Sequence, residues 1–197
     1  MTLQRRTRRA AAAAALALAA LGAAAPAAAQ TSGFYAGGFL GGADWKSACR
    51  GFTGAGTSCD DADTAWRAFA GYQLARSVAL EAGYVDFGRA AFSEPGATGD
   101  TKASAWEASV LGALKVLDRW ALLGRLGAYR ADVKQRTLFA GSFEGKNGGF
   151  TIGFGARYEL TPAFALRGEW QRYKNVGGGA VAQTDIDVVG VSAIWRF

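Results

Sequence analysis

An all-β fold, an eight-stranded antiparallel up-and-down barrel that crosses a membrane on its strands, follows from three features of this 197-residue chain. Hydrophobicity alternates with period two and not 3.6. The alternating segments are joined by connections that are by turns short and long. Bulky aromatics gather at the segment ends.

The first 29 residues stand apart. Arg5, Arg6, Arg8 and Arg9 precede an Ala/Leu run from Ala10 to Ala25, and Ala27-Ala28-Ala29 offers the small residues that signal peptidase accepts. The segment reads as a cleavable export signal over 1–29, with the mature barrel domain over 30–197. The competing reading is an N-terminal anchor, but the run is nearly all Ala and stops at Pro26, which is weak for a permanent span. It holds four of the 22 Lys+Arg and none of the 16 Asp+Glu. From Gln30 onward 18 basic residues therefore face 16 acidic ones, a net charge of +2. The basic character belongs mainly to the leader, and no patch remains that would suggest a nucleic-acid partner.

Past Gln30 the chain carries 27 of the 28 Gly and all the Trp, Phe and Tyr. That combination points to a special β architecture, since the aromatics argue against disorder. Strands are predicted at about 33–45, 64–75, 78–88, 104–116, 120–131, 148–160, 164–174 and 184–197. Each is near the 9–11 residues, or somewhat more, that a tilted transmembrane strand requires. After the second, fourth and sixth the connections are tight: Leu74-Ala75-Arg76-Ser77, Leu117-Asp118-Arg119 and Leu160-Thr161-Pro162-Ala163. After the first, third, fifth and seventh they are long, roughly 46–63, 89–103, 132–147 and 175–183. Short turns on one side of a membrane and long loops on the other give this parity.

The faces separate residue by residue. Phe150, Ile152, Phe154, Ala156, Tyr158 and Leu160 alternate with Thr151, Gly153, Gly155, Arg157 and Glu159. Trp66, Ala68, Ala70, Tyr72 and Leu74 oppose Arg67, Gly71 and Gln73, with Phe69 as an exception. A soluble barrel would turn the bulky face inward and a membrane barrel turns it to lipid. Lipid is favoured because Trp66, Trp106, Trp170 and Phe150 fall at the loop ends, and Trp120, Phe164, Tyr158 and Trp195 at the turn ends, as two interfacial girdles would.

Cys49 and Cys59 lie ten apart in a Gly/Ser/Asp-rich connection. In an exported chain they can oxidise to a disulfide across one loop. A two-Cys metal site is the alternative, but with no His in the chain it would lack its usual ligands.

The final strand ends Val189-Gly190-Val191-Ser192-Ala193-Ile194-Trp195-Arg196-Phe197. A terminal Phe with Trp195, Ala193, Val191 and Val189 at alternate positions behind it resembles the recognition signal of outer-membrane barrels. With Gly33-Phe34-Tyr35-Ala36-Gly37-Gly38 opening the first strand, the chain from Gln30 to Phe197 resembles the OmpA-like and opacity-type small-barrel superfamily. The resemblance implies the outer membrane of a Gram-negative cell, contact with its lipid and lipopolysaccharide, and recognition of the last strand by the barrel-assembly machinery. Longer OmpA-type proteins add a periplasmic peptidoglycan-binding domain, and that activity is not expected here.

Candidate chemistry lies in the lumen, where Arg67, Glu81, Glu107, Lys115, Arg125, Arg157, Glu159, Arg167 and Glu169 share the polar face. Isolated charges in a narrow lumen are costly, so pairing into a plug is the structural reading, and an ion path the functional one. Catalysis is not expected. Enzymes among small outer-membrane barrels resemble one another in using a His, and no other base for a nucleophile is evident. Gly177-Gly178-Gly179 lacks the following helix and Lys-Ser/Thr of a phosphate cradle, and no cofactor is expected. Three roles remain open: a non-enzymatic barrel contributing to envelope structure, a narrow porin-like channel for small solutes, or an adhesin whose loops meet a host surface.

Overall fold

The computed structural model describes residues 33–197 apart from 47, 51–55, 96, 138–140 and 180. The 1–29 leader and its cleavage site lie outside the described residues. Within them the chain forms nine strands: β1 Gly33–Trp45, β2 Ser58–Asp60, β3 Ala62–Ala75, β4 Val78–Glu94, β5 Ala97–Lys115, β6 Trp120–Thr137, β7 Gly141–Glu159, β8 Phe164–Gly178 and β9 Val181–Arg196. The eight long strands pair antiparallel with their chain neighbours, and β1 pairs β9 from Tyr35↔Arg196 to Trp45↔Ile186, which closes the barrel. Closure satisfies the backbone groups within the wall and leaves no strand edge, the condition for crossing lipid on strands. The two ends of the described chain meet on the turn side, where the Phe197 amide donates to the Phe34 carbonyl at 3.1 Å.

The period-two pattern locates all eight long strands, but underestimates their reach. The long connections predicted at 89–103, 132–147 and 175–183 are largely strand. β4 runs to Glu94 and β5 resumes at Ala97, β6 runs to Thr137, and β8 to Gly178. At about 3.3 Å per residue and a tilt near 40°, the 19 residues of β5 rise roughly 48 Å, against an apolar band of about 25 Å. The excess stands above the membrane as paired hairpins. In the first connection β2 pairs with β4 through Cys59↔Phe92, and a Cys49–Cys59 disulfide ties the chain down.

The wall turns its bulky side chains outward. Trp106, Leu114, Leu126 and Phe154 are each more than 60% exposed, a pattern that suits lipid and not water. Aromatic pairs ring both ends of that surface: Phe34–Tyr72, Trp120–Tyr158 and Phe164–Trp195 on the turn side, Trp66–Tyr84, Tyr84–Trp106 and Phe154–Trp170 on the loop side. Above the loop-side ring the sense of the wall reverses. On β6 Arg125 points in and Leu126 out, whereas farther up Val133 is buried and Lys134 exposed.

Glycine is essential at the closing seam. Gly41 and Gly190 are directly opposite, and a Cβ on Gly41 would lie 2.1 Å from the Val189 carbonyl oxygen. One on Gly190 would lie 2.3 Å from the Leu40 oxygen. The Phe39 ring fills the space that both leave.

Candidate functional site: the filled lumen

The centre of the lumen is an ionic layer built from five strands. Arg67 comes from β3, Glu81 from β4, Glu107 from β5, Arg125 from β6, and Arg167 and Glu169 from β8, all with under a tenth of their surface exposed. Glu81 is the hub. It takes 2.6 Å hydrogen bonds from Arg125 Nη2 and Arg167 Nη1, a second from Arg167 Nη2 at 3.3 Å, and one from the Tyr35 hydroxyl at 2.9 Å. Arg67 donates to Glu169 and, at 3.2 Å, to Glu107. Arg125 also reaches Ser109 Oγ at 2.7 Å and Glu169 at 3.2 Å.

Neutral groups take up further carboxylate valences, while the buried Nε–H groups of Arg67, Arg125 and Arg167 make no hydrogen bond. Glu107 accepts from the Tyr173 hydroxyl at 2.5 Å and from Gln171 Nε2 at 3.0 Å, and Ser192 Oγ donates to Glu169 at 3.2 Å. Phe69, the exception in the alternation of β3, lies under the Arg67 and Arg167 guanidiniums at 5.2 and 4.8 Å. An aromatic face stabilises a cation that burial has stripped of water. Three guanidiniums thus meet three carboxylates at close range, with their charges held in place by the barrel wall. Desolvation penalises each ion alone, and only the full set of partners makes the layer tolerable.

Apolar layers close the lumen on both sides of the charges. Toward the loops, Trp45, Val85, Phe87, Tyr173, Val176 and Ile186 are almost wholly buried, with Phe87 and Tyr129 stacked edge-on to Tyr173 at 4.6 and 5.4 Å. Toward the turns lie Leu111, Leu123 and Ile194, beside a cavity of about 10 Å³ that also touches Gln73, Arg157 and Arg196. That volume holds about one water.

Six of the nine predicted lumen residues meet in the ionic layer. Arg157 and Glu159 do not join it; they sit at the turn-side mouth, where Glu159 pairs with Arg157 at 3.3 Å and Arg196 at 3.0 Å. Lys115 is a correction. It has the right parity but is the last residue of β5, beyond the end of the closed interior, and is exposed. Reasoning from sequence missed Tyr35, Gln171 and Tyr173 as partners and missed the loop-side apolar layer. Its signal was present in Val85-Asp86-Phe87, inside the predicted strand 78–88, and in Ala131-Asp132-Val133, where the predicted strand 120–131 gives way to a connection.

In the ionic layer Glu81, Glu107 and Glu169 are each engaged by at least one guanidinium. Among the described residues no three His, Cys, Asp or Glu gather as a metal site would need.

Comparison with known proteins agrees with this architecture. The family model described as "Outer membrane protein beta-barrel domain" matches residues 13–197. Outer membrane protein A of Shigella flexneri is 29% identical over 136 residues, a match covering 66% of this chain and 39% of that protein's length. Neisserial surface protein A has the same fold at a TM-score of 0.58 and 16% identity, over 85% of this chain and 100% of that one. Ail of Yersinia pestis, solved in complex with the heparin analogue sucrose octasulfate, aligns at a TM-score of 0.53 and 16% identity, over 84% and 99%.

Proposed function

The chain belongs to the outer membrane protein β-barrel family and resides in the Gram-negative outer membrane, and from that premise we propose that it is a non-enzymatic barrel with a sealed lumen. Its role is to contribute to envelope structure while presenting rigid hairpins outside the cell. One observation carries this: the interior is filled through its height, by an ionic layer between two apolar ones. An eight-stranded barrel has room for side chains and little more. Catalysis is disfavoured because the carboxylates are already engaged by guanidiniums and the chain has no His. The folded protein in a planar bilayer should show no steady conductance. A sustained, ion-selective current would replace this reading with that of a channel.

A second role, surface recognition, draws support from the hairpins that rise above the loop-side aromatic ring and from the disulfide that ties the first loop to the wall. Loops on a rigid scaffold commonly carry recognition. A deletion strain separates the roles: sensitivity to detergent follows from the envelope role, loss of adhesion from the surface one.

We further propose that residues 1–29 are removed on export and that Val189, Val191, Ala193, Trp195 and Phe197 are read by the assembly machinery. Support comes from the outward face that Val189, Val191, Ala193 and Trp195 share on β9, with Phe197 just past its end, and from Val189, Val191 and Phe197 each being more than half exposed. Expression of the full chain should yield an outer-membrane species beginning at Gln30, and deletion of Phe197 should lower its yield severalfold. An intact leader in the membrane species, or an unchanged yield, would refute the respective assignment.

A further inference from the structure

Two arginines of the inner wall oppose each other on neighbouring strands. Arg157 of β7 and Arg167 of β8 are register partners, and both line the turn-side cavity. Like charges directly opposite one another destabilise a sheet. The ionic layer relieves only one of the two. Arg167 lies 2.6 Å from Glu81 and 3.4 Å from Glu169, inside a set whose three guanidiniums and three carboxylates balance. Arg157 is left at the mouth, where it and Arg196 share one carboxylate, Glu159, at 3.3 and 3.0 Å. Among the described residues neither arginine has another carboxylate within 4 Å, the Phe197 terminus included. Two positive charges against one negative leave an excess of one.

The cavity of about 10 Å³ lies against this excess. Its walls bring the guanidiniums of Arg157, Arg167 and Arg196 together with apolar side chains such as Leu111, Leu123 and Ile194, and no carboxylate is among them. The other two polar side chains of the lining have their donors committed. The Tyr35 hydroxyl donates to Glu81 at 2.9 Å, and the Gln73 amide donates to the Ala75 and Val78 carbonyls at 2.5 and 3.1 Å. The Nε–H groups of Arg157 and Arg167, by contrast, are buried and make no hydrogen bond. A buried donor without an acceptor is costly, and apolar walls strengthen the field of an unmatched cation. The space is about that of one water, which suits a single-atom ligand and is too small for phosphate or a sugar acid.

We infer that Arg157, Arg167 and Arg196 form a binding site for one monovalent, single-atom anion, chloride, at the turn-side mouth of the lumen. Guanidiniums are more weakly hydrated than ammonium groups, and their N–H groups give charge-assisted hydrogen bonds to an anion. One bound chloride cancels the excess charge and screens Arg157 from Arg167 where β7 and β8 are paired. The inference goes beyond the sealed-lumen reading and does not depend on it: a chloride current would count against the seal and leave the site standing.

The test compares unfolding midpoints of the refolded protein in a non-ionic detergent, in sodium chloride and in sodium gluconate at equal ionic strength. Chloride at about ten times its dissociation constant should raise the midpoint by roughly 3–5 °C over gluconate. Chloride NMR linewidths report binding directly, and the line should broaden with folded protein beyond the broadening that denatured protein causes. R157Q should lose both effects. R119Q removes an exposed cation at the same end of the barrel and should keep both. If R157Q does not fold, R196Q should weaken chloride binding severalfold. An equal midpoint in gluconate reduces the effect to screening and overturns the site, as does a chloride line that wild type leaves unbroadened. A response unchanged in R157Q and R196Q, or lost equally in R119Q, overturns the assignment to these arginines. Displacement of chloride by equimolar sulfate overturns the single-atom ligand in favour of a larger oxyanion.

Discussion

Glu81→Ala is expected to destabilise the barrel more than any other single change in the ionic layer. The substitution strips Arg125 and Arg167 of their shortest carboxylate contacts and leaves the Tyr35 hydroxyl without its acceptor. Breaking a buried pair by removing one partner costs about 3–5 kcal/mol, and water entering the space left behind would hold the cost near the lower figure. For a domain of this size that corresponds to a fall on the order of 10 °C in the unfolding midpoint, followed as loss of the faster-migrating unboiled band with temperature. Glu107→Ala should cost less, because Arg67 keeps Glu169 while the groups released, Tyr173 and Gln171, are neutral. Glu81→Gln should fall between wild type and alanine, since it keeps an acceptor but not the charge. A midpoint unchanged in Glu81→Ala would show that the lumen is wet enough to hydrate free guanidiniums, and would remove the basis for a sealed interior.

The double substitution Gly41→Ala and Gly190→Ala should prevent closure altogether. Both methyls would enter the same inward space on facing strands, each within about 2.5 Å of backbone that has no rotamer through which to escape. Alanine favours a strand over glycine elsewhere, so propensity predicts the opposite sign. The appropriate control is Gly112→Ala with Gly124→Ala, a pair that also faces across two strands but points to lipid with nothing within 4 Å. After folding into detergent, the control should give the heat-modifiable band and the seam variant should not. A seam variant that folds as well as the control would mean that β1 and β9 can part by the width of a methyl at no cost.

Much of this was legible in the chain, because a transmembrane strand declares itself by alternation over several residues. Phe150 to Leu160 against Thr151 to Glu159 shows both the strand and its faces. Six of the ionic residues were legible for the same reason, since parity alone assigns Arg67 or Glu107 to the interior. What parity cannot provide is partnership. Arg67 meets Glu169 from 102 residues away, across the width of the lumen, and no local pattern encodes that meeting. Nor can parity tell where an interior ends, which is why Lys115 was placed with residues it does not touch. The hairpin extensions were hidden by a change of solvent: Lys102, Lys134 and Lys146 face water, and a polar strand resembles a loop until its inner Ala and Val positions are noticed.

The reversal of the wall above the loop-side aromatic ring bears on how the protein reaches its place. Strands entering from the periplasm must carry Arg89, Lys102, Lys134 and Lys146 through hydrocarbon before these residues regain water on the far side. Each basic side chain on the lipid face costs about 2–4 kcal/mol at the midplane and almost nothing once past it. The toll falls on both directions of travel, so the same residues that obstruct entry also obstruct retreat. The charged hairpins therefore act as a barb that raises the barrier to leaving, a kinetic hold separate from the depth of the equilibrium well.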